Sequence, residues 1–182
     1  MMSLKKKINQ IKYKEKIAEN FFKKKNLNSL LKKKYKDVYP PNLKDLYYIY
    51  NVILKFKRTN ALEFGCGFST LIISKALKEN KNKYQNINFK NLGLNNTFQH
   101  SIVDDQKKYI EITKKRNLKY FQSKKINENF YYSKNKMTTF NNQICSEYQK
   151  LPNMIPDFIY LDGPDLDKII GNINGINITK NS

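Results

Sequence analysis

The sequence predicts an α/β protein built on a Rossmann-like, doubly wound parallel sheet. Two observations lead to this fold class: short apolar runs alternate with helical segments along the chain, and the first run ends in a glycine turn, Gly65-Cys66-Gly67. Strands that alternate with helices form parallel sheets through right-handed crossovers. In such sheets ligands bind beyond the carboxyl ends of the strands, so we expect the functional residues there.

Length and composition favour a single domain preceded by a helical arm. The chain has 182 residues, of which 40% are hydrophobic, enough to form a buried core. Lysines recur beside sparse apolar residues from position 3 to position 36 and predict one or two surface helices. We therefore divide the chain into a basic helical arm, residues 1–41, and a Rossmann-like domain, residues 42–182.

The net charge of +20 comes almost entirely from lysine, because Arg58 and Arg116 are the only arginines. Basic chains are typical of nucleic-acid-binding proteins, which gain affinity by displacing counterions from phosphates. Phosphate and base recognition, however, favour the bidentate guanidinium of arginine. We therefore expect no nucleic-acid partner, and a noncatalytic basic nucleic-acid-binding module stays as an alternative.

Cysteine and histidine are too scarce for a disulfide framework or a zinc site, since the chain has only Cys66, Cys145 and His100. We predict no metal. The charged amino terminus is not followed by the apolar segment of a signal peptide, and the most apolar stretch, residues 46–56, is interrupted by polar residues. These features predict a cytoplasmic protein without a membrane span.

Strand and helix signals follow the arm in a regular order. Residues 43–56 have apolar side chains at helical spacing, residues 61–64 predict the first strand, and Ser69 and Thr70 can cap the helix after the glycine turn. The later predicted elements are a second strand at 98–103, a helix after Asp104 and Asp105, a third strand at 129–133, a helix at 142–148, a fourth strand at 157–161, an insertion at 78–96 and a polar loop at 169–182.

The turn after the first strand has features that indicate a ligand. Glycines at 65 and 67 permit the backbone angles of a direct strand-to-helix turn and a close approach of the ligand. Glu63 is an acid in a buried strand, which is costly unless backbone amides or a cationic ligand compensate for it. Ser69 and Thr70 follow the turn, and no glycine stands at position 70, where a dinucleotide-binding fingerprint has its third glycine. The turn therefore favours an adenosine-type ligand without phosphates.

Residues 61–70, Ala-Leu-Glu-Phe-Gly-Cys-Gly-Phe-Ser-Thr, resemble the first motif of class I S-adenosylmethionine-dependent methyltransferases. Asp104, with Asp105 in reserve, resembles the acid of the second motif, which binds the ribose hydroxyls. Residues 157–164 resemble the fourth motif, in which Asp162 stands near the transferred methyl group. The resemblance covers roughly residues 43–164 and implies the cofactor half of such a fold, truncated at its carboxyl end.

The resemblance implies a methyltransferase-like protein that acts on a small-molecule or sugar-type acceptor. It implies that Asp162 is catalytic, as a base or by orienting an acceptor hydroxyl, and in some branches of the family this acid helps to bind a divalent metal. The implied contacts to S-adenosylmethionine are Glu63, Gly65, Cys66, Gly67, Ser69, Thr70, Asp104 and Asp162. Another Rossmann-like enzyme with a nucleotide cofactor, such as a nicotinamide, is a second alternative beside the nucleic-acid-binding module.

Overall fold

The fold is described by a computed structural model that covers residues 4–32, 39–84, 86–87, 97–122, 127–164, 171–173 and 175–178. The helices are α1 (Leu4–Lys24), α2 (Asn28–Leu31), α3 (Leu43–Lys55), α4 (Phe68–Lys83) and α5 (Lys107–Phe121). The strands are β1 (Asn60–Phe64), β2 (Gln99–Asp104), β3 (Glu128–Tyr132), β4 (Asn135–Phe140), β5 (Gln143–Tyr148), β6 (Phe158–Leu161), β7 (Gly171–Ile173) and β8 (Ile176–Ile178).

Four parallel strands form the central sheet in the order β3-β2-β1-β6. β1 pairs with β2 from Asn60 opposite Gln99 onward, and with β6 from Ala61 opposite Phe158 onward. Since β2 and β3 lie on one side of β1 and β6 lies on the other, the strand order reverses at β1. This topology confirms the Rossmann-like α/β fold, and the four predicted strands of the sheet all form.

The main apolar core is built largely by α3 and α4. α3 begins at an Asn42 cap, whose side chain accepts a hydrogen bond from the Lys44 amide. Its apolar face and that of α4 are buried against each other at helical spacing. The buried residues that these two helices contribute are Leu46, Ile49, Tyr50, Ile53, Phe68, Leu71, Ile72, Ile73, Ala76 and Leu77.

The basic arm joins this core instead of lying only on the surface. Both predicted helices form, as α1 and α2, and Phe22, Leu27 and Leu31 are buried in the same cluster as α3 and α4. The Phe21 ring packs edge-to-face against the rings of Tyr47 and Tyr50, with centroids 5.0 Å apart in both pairs. The arm therefore fixes the position of α3, which approaches the functional end of the sheet through its first turn.

The predicted helix at 142–148 is wrong, because these residues form the second strand of a hairpin. β4 and β5 pair antiparallel from Asn135 opposite Tyr148 to Phe140 opposite Gln143. The connection is the pair Asn141-Asn142, whose φ angles of 48° and 63° are both positive. Two-residue hairpin turns require such angles, and asparagine tolerates them better than most residues.

The carboxyl-terminal segment is also not the polar loop that its composition predicts. β7 and β8 form a second antiparallel hairpin, with Gly175 at a φ of +83° in its turn. Gly171 of β7 packs against Met137 of β4 so closely that an added β-carbon would lie 2.6 Å from the Met137 Cβ. The predicted insertion at 78–96 contains the end of α4, and most of the rest lies outside the described residues.

Residues 149–157 carry the chain from the carboxyl end of the sheet back to its amino end. The segment starts after Tyr148, whose ring stacks on Phe64 at 5.4 Å. It ends at Asp157, whose carboxylate accepts hydrogen bonds from the Thr59 and Asn60 amides at 2.7 and 2.9 Å. Within the described chain, β6 pairs only with β1, and no helix is long and apolar enough to cross a membrane.

Candidate functional site

A cleft of about 500 Å³ opens at the carboxyl ends of β1, β2 and β6. It lies where the strand order reverses, which is the position at which open α/β sheets bind their ligands. Its volume falls within the range of small-molecule sites, which is roughly 300–1,000 Å³. The lining residues belong to the segments 39–46, 65–69, 104–109, 148 and 160–164. The first turn of α3 thus forms one wall, opposite the glycine turn.

Gly65 is the point at which the glycine turn contacts the end of β6. Its φ is +84°, a conformation that side chains rarely adopt, and an added β-carbon would lie 2.9 Å from the Gly163 amide nitrogen. The contact is reciprocal, because a β-carbon on Gly163 would lie 2.9 Å from the Gly65 Cα. Both glycines are therefore required for the two strand ends to meet at the cleft.

Gly67 has a different role, which corrects the expectation that both glycines of the turn need unusual backbone angles. Its φ is −171°, an extended conformation open to any residue. An added β-carbon would meet no atom closer than the Ser69 Oγ at 3.9 Å. Because Gly67 lines the cleft, its missing side chain leaves space for a ligand.

Asp104 joins the glycine turn to the turn after β2. Its carboxylate is almost fully buried, and its two oxygens accept hydrogen bonds from the Cys66 amide at 2.7 Å and the Gln106 amide at 2.6 Å. Each carboxylate oxygen has a second lone pair, so Asp104 can still accept from a ligand in the cleft. Burial raises the pKa of Asp104 above its ordinary value of 3.8, although the two amides oppose the shift.

The start of α4 is held in place by two side chains behind the turn. The Thr70 hydroxyl accepts a hydrogen bond from the Gly67 amide at 3.0 Å. The Arg116 guanidinium donates to the Gly67 carbonyl and lies over the Phe68 ring, 4.4 Å from its centroid. Arg116 is buried, and sequence reasoning missed it because its role depends on how α5 packs beside α4.

The structure brings six of the eight expected cofactor contacts to the cleft. Gly65, Cys66, Gly67, Ser69, Asp104 and Asp162 line it. Glu63 and Thr70 are fully buried behind it. These two residues support the turn from inside the fold, so neither reaches the cleft surface.

Glu63 is compensated within the protein, by partners that the sequence did not indicate. The Ser69 hydroxyl donates to its Oε1 at 2.5 Å, and the Nε2 of His100 lies 3.1 Å from its Oε2. His100 on β2 lies opposite Ala61 of β1, and Ala61 is two residues from Glu63. Because side chains alternate between the two faces of a sheet, His100 and Glu63 lie on the same face. Both side chains are at most 1% exposed.

The buried network continues from His100 towards β3. The Nδ1 of His100 lies 2.8 Å from the Ser74 Oγ, and the Ser74 hydroxyl donates to the Glu128 Oε1 at 2.5 Å. The same Glu128 oxygen accepts from the Asn117 amide at 2.7 Å. A chain of polar side chains therefore runs between α4 and the sheet, from β3 to the cleft wall at Ser69.

The cleft is acidic although the whole chain carries a charge of +20. Asp45, Asp104, Asp105 and Asp162 line it, and none of its lining residues in the described chain is a lysine, arginine or histidine. These like charges disfavour one another's ionised forms and attract cations. The potential in the cleft is therefore opposite to that of the surrounding lysine-rich surface.

Several pKa values in the cleft are raised, with burial as the largest cause and neighbouring charges adding to it. Burial and then the Glu63 carboxylate raise the pKa of Asp162, whereas the nearby Ser69 hydroxyl acts in the opposite direction. Burial, followed by the charges of Asp162 and Glu63, raises the pKa of Tyr160 to about 12. Burial and the Asp104 carboxylate also raise the pKa of the Cys66 thiol, so Cys66 stays neutral at physiological pH.

Comparison of the chain with protein families, with curated proteins and with solved structures finds no match.

The two glycines of the turn provide a matched pair of substitutions. We expect Gly65→Ala to lower the free energy of unfolding by about 2–5 kcal/mol, because it combines a positive φ with a clash against backbone atoms. Gly67→Ala should change it by less than about 1 kcal/mol, since the added carbon meets no close neighbour. Urea unfolding measures both, and equal effects would contradict the different roles.

The buried pair of Glu63 and His100 can be tested against an exposed pair at the same distance. His100→Leu leaves Glu63 buried without its partner and should cost about 3–5 kcal/mol in the free energy of unfolding. Lys136 and Glu147 are also 3.1 Å apart but about half exposed. Lys136→Ala should therefore cost less than about 1 kcal/mol. Similar losses from the two substitutions in urea unfolding would show that burial does not strengthen the first pair.

Proposed function

We propose that the chain is an S-adenosylmethionine-dependent methyltransferase-like protein that acts on a small-molecule acceptor. The main support is an acid-lined cleft at the switch point of a parallel sheet, beside a glycine turn that leaves room for a ligand. The proposed cofactor has an adenosine moiety without phosphates and a cationic sulfonium. A cation is the charge that the four aspartates of this cleft favour.

The residues of the cleft fit such a cofactor. Asp104 can accept hydrogen bonds from ribose hydroxyls with the lone pairs that the two backbone amides leave unused. Gly67 and Ser69 would contact the cofactor where the turn is free of side chains. When bound, the cofactor supplies an electrophilic methyl group. Transfer of that group depends mainly on the alignment of the acceptor, which the walls of the cleft would hold.

Asp162 is the proposed catalytic residue. It lies at the end of β6, beside the glycine turn, and lines the cleft. Its raised pKa makes it a better proton acceptor than an ordinary aspartate. In the proposed reaction Asp162 orients the acceptor and takes up a proton from it.

The charge of the cleft argues against both alternative functions. A nicotinamide dinucleotide carries a pyrophosphate, and no basic side chain lines the cleft within the described residues. A nucleic acid would meet the same acidic wall, so any binding of it would be confined to the lysine-rich surface outside the cleft. We therefore place S-adenosylmethionine ahead of both ligands.

Isothermal titration calorimetry with S-adenosylhomocysteine tests the proposal directly. We expect saturable binding by the wild-type chain and a loss of at least about tenfold in Gly67→Leu, whose side chain would occupy the space left by glycine. Gly67→Ala, with a single added carbon, should lose less. NADH serves as the control ligand and should not bind. Folded protein that shows no heat at millimolar S-adenosylhomocysteine would rule the proposal out.

The raised pKa values of Asp104 and Asp162 predict how the affinity changes with pH. As the pH falls through these values, which lie above the ordinary 3.8, the carboxylates become neutral and the attraction for a cation is lost. S-adenosylmethionine should therefore lose more affinity than S-adenosylhomocysteine, which lacks the sulfonium, as the pH is lowered from neutral towards the ordinary aspartate pKa of 3.8. Calorimetry of both ligands over this range measures the difference. An equal loss for the two would contradict the role of the cleft charges.

A further inference from the structure

We propose that His100 is a positioning residue: together with Glu63 it holds one buried proton, and this pair fixes Ser69 as a hydrogen-bond acceptor towards the cleft. Ser69 would then only accept hydrogen bonds from a ligand in the cleft. This proposal deepens the proposed function, and its ligand-binding test rests on that function. It starts from the distances in the buried network, where each hydroxyl has only one hydrogen to donate.

The first step assigns the hydrogen on the Nδ1 of His100. Ser74 donates its only hydrogen to Glu128, at 2.5 Å, so it cannot also donate to the imidazole. Ser74 and the Nδ1 of His100 are nevertheless 2.8 Å apart. The Nδ1 must therefore carry a hydrogen and donate it to the Ser74 oxygen.

The second step places a proton between His100 and Glu63. A neutral imidazole with its hydrogen on Nδ1 would present a bare lone pair at Nε2. That nitrogen lies 3.1 Å from the Glu63 Oε2, at a site with at most 1% exposure, where two acceptors would repel each other. Neither of these two buried atoms has a hydrogen-bond partner in the structure. A second proton shared by Nε2 and Oε2 would satisfy both of them.

The third step concerns the direction in which the Ser69 hydroxyl donates its hydrogen. With Oε2 bound to His100, the remaining Glu63 oxygen, Oε1, accepts the Ser69 hydroxyl at 2.5 Å. Ser69 lines the cleft, and the Asp162 carboxylate also lies within reach of its hydroxyl and competes for the single hydrogen. The 2.5 Å contact assigns that hydrogen to Glu63. With its hydrogen directed to Glu63, Ser69 presents only lone pairs to the cleft. Ser69 and Asp162 then form an acceptor wall that recognises a donor group on the ligand, such as an ammonium or a hydroxyl.

The histidine itself reports on the first two steps without any ligand. Because His100 is the only histidine, nitrogen NMR of the labelled chain gives one unambiguous pair of ring signals. We expect a protonated Nδ1 and an Nε2 whose signal is moved away from that of a free, unprotonated nitrogen by the shared proton. An unprotonated Nδ1, or an Nε2 with the free-nitrogen signal, would overturn the inference whether or not any cofactor binds.

The variant Glu63→Gln distinguishes two roles of Glu63: positioning the Ser69 hydroxyl, and attracting the ligand directly through its negative charge. The glutamine oxygen can accept from Ser69 while its amide donates to the Nε2 of His100, so the polarity of Ser69 is preserved without the shared proton. We expect Glu63→Gln to bind S-adenosylhomocysteine within about threefold of the wild type. Ser69→Ala, which removes the acceptor, should lose about tenfold or more. The NMR signals of Glu63→Gln should show a neutral ring with its hydrogen on Nδ1.

Two results would contradict the ligand-binding part of the inference. One is a loss in Glu63→Gln as large as that in Ser69→Ala, because the Glu63 charge itself would then act on the ligand. The other is unchanged binding by Ser69→Ala. If the wild-type chain binds no S-adenosylhomocysteine, the proposed function fails, and the NMR signals of His100 still decide whether the buried proton exists.

Discussion

Glu63 is a carboxylate in the middle of a parallel sheet, without access to solvent, and the arrangement of the site follows from the way it is compensated. An isolated ionised group at such a position would be prohibitively costly. Ser69 at the start of α4 donates a hydrogen bond to one of its oxygens, and the Nε2 of His100 on the neighbouring strand lies 3.1 Å from the other. Because Glu63 and its two partners lie on three different elements, β1, α4 and β2, the start of α4 is fixed relative to the two strands. The glycine turn between them is held at the cleft as a consequence.

The charge distribution separates the cleft from the rest of the molecule. No lysine of the described chain lines the cleft, which collects four aspartates. Burial raises the pKa of Asp104 and Asp162, and neighbouring carboxylates add to the effect, Asp105 for Asp104 and Glu63 followed by Asp45 for Asp162. A raised pKa means that the empty fold becomes less stable as the pH rises through it, since the ionised form is disfavoured in the folded state. A bound cation would remove this cost, so the aspartates that lower the stability of the fold would also favour the cationic ligand that we propose.

Local sequence patterns were sufficient to predict the parallel sheet and the position of the glycine turn. Strands β1, β2, β3 and β6 are short apolar runs followed by caps or turns, and these signals depend only on neighbours in the chain. The β4–β5 hairpin was missed because the Asn141-Asn142 turn was not recognised, although this dipeptide suits a two-residue connection.

Residues that act across the sheet could not be found in this way. His100 and Arg116 gain their roles from strand register and helix packing, neither of which is visible in a single sequence. The same holds for Asp45, whose place in the cleft wall depends on how the arm positions α3. Asp104 and Asp162 were found because each lies at the carboxyl end of a strand, Asp104 as the last residue of β2 and Asp162 as the first residue after β6. Burial of Glu63 and Thr70 behind the cleft could not be inferred from their spacing within the motif.

The contact between Gly65 and Gly163 ties together two positions that are 98 residues apart in the chain. Each backbone occupies the volume that a side chain on the other would need. Neither position can therefore change alone without separating the ends of β1 and β6, and mutational tolerance at one depends on the residue at the other. The two glycines therefore act as one packing unit, in which each backbone excludes a side chain from the other.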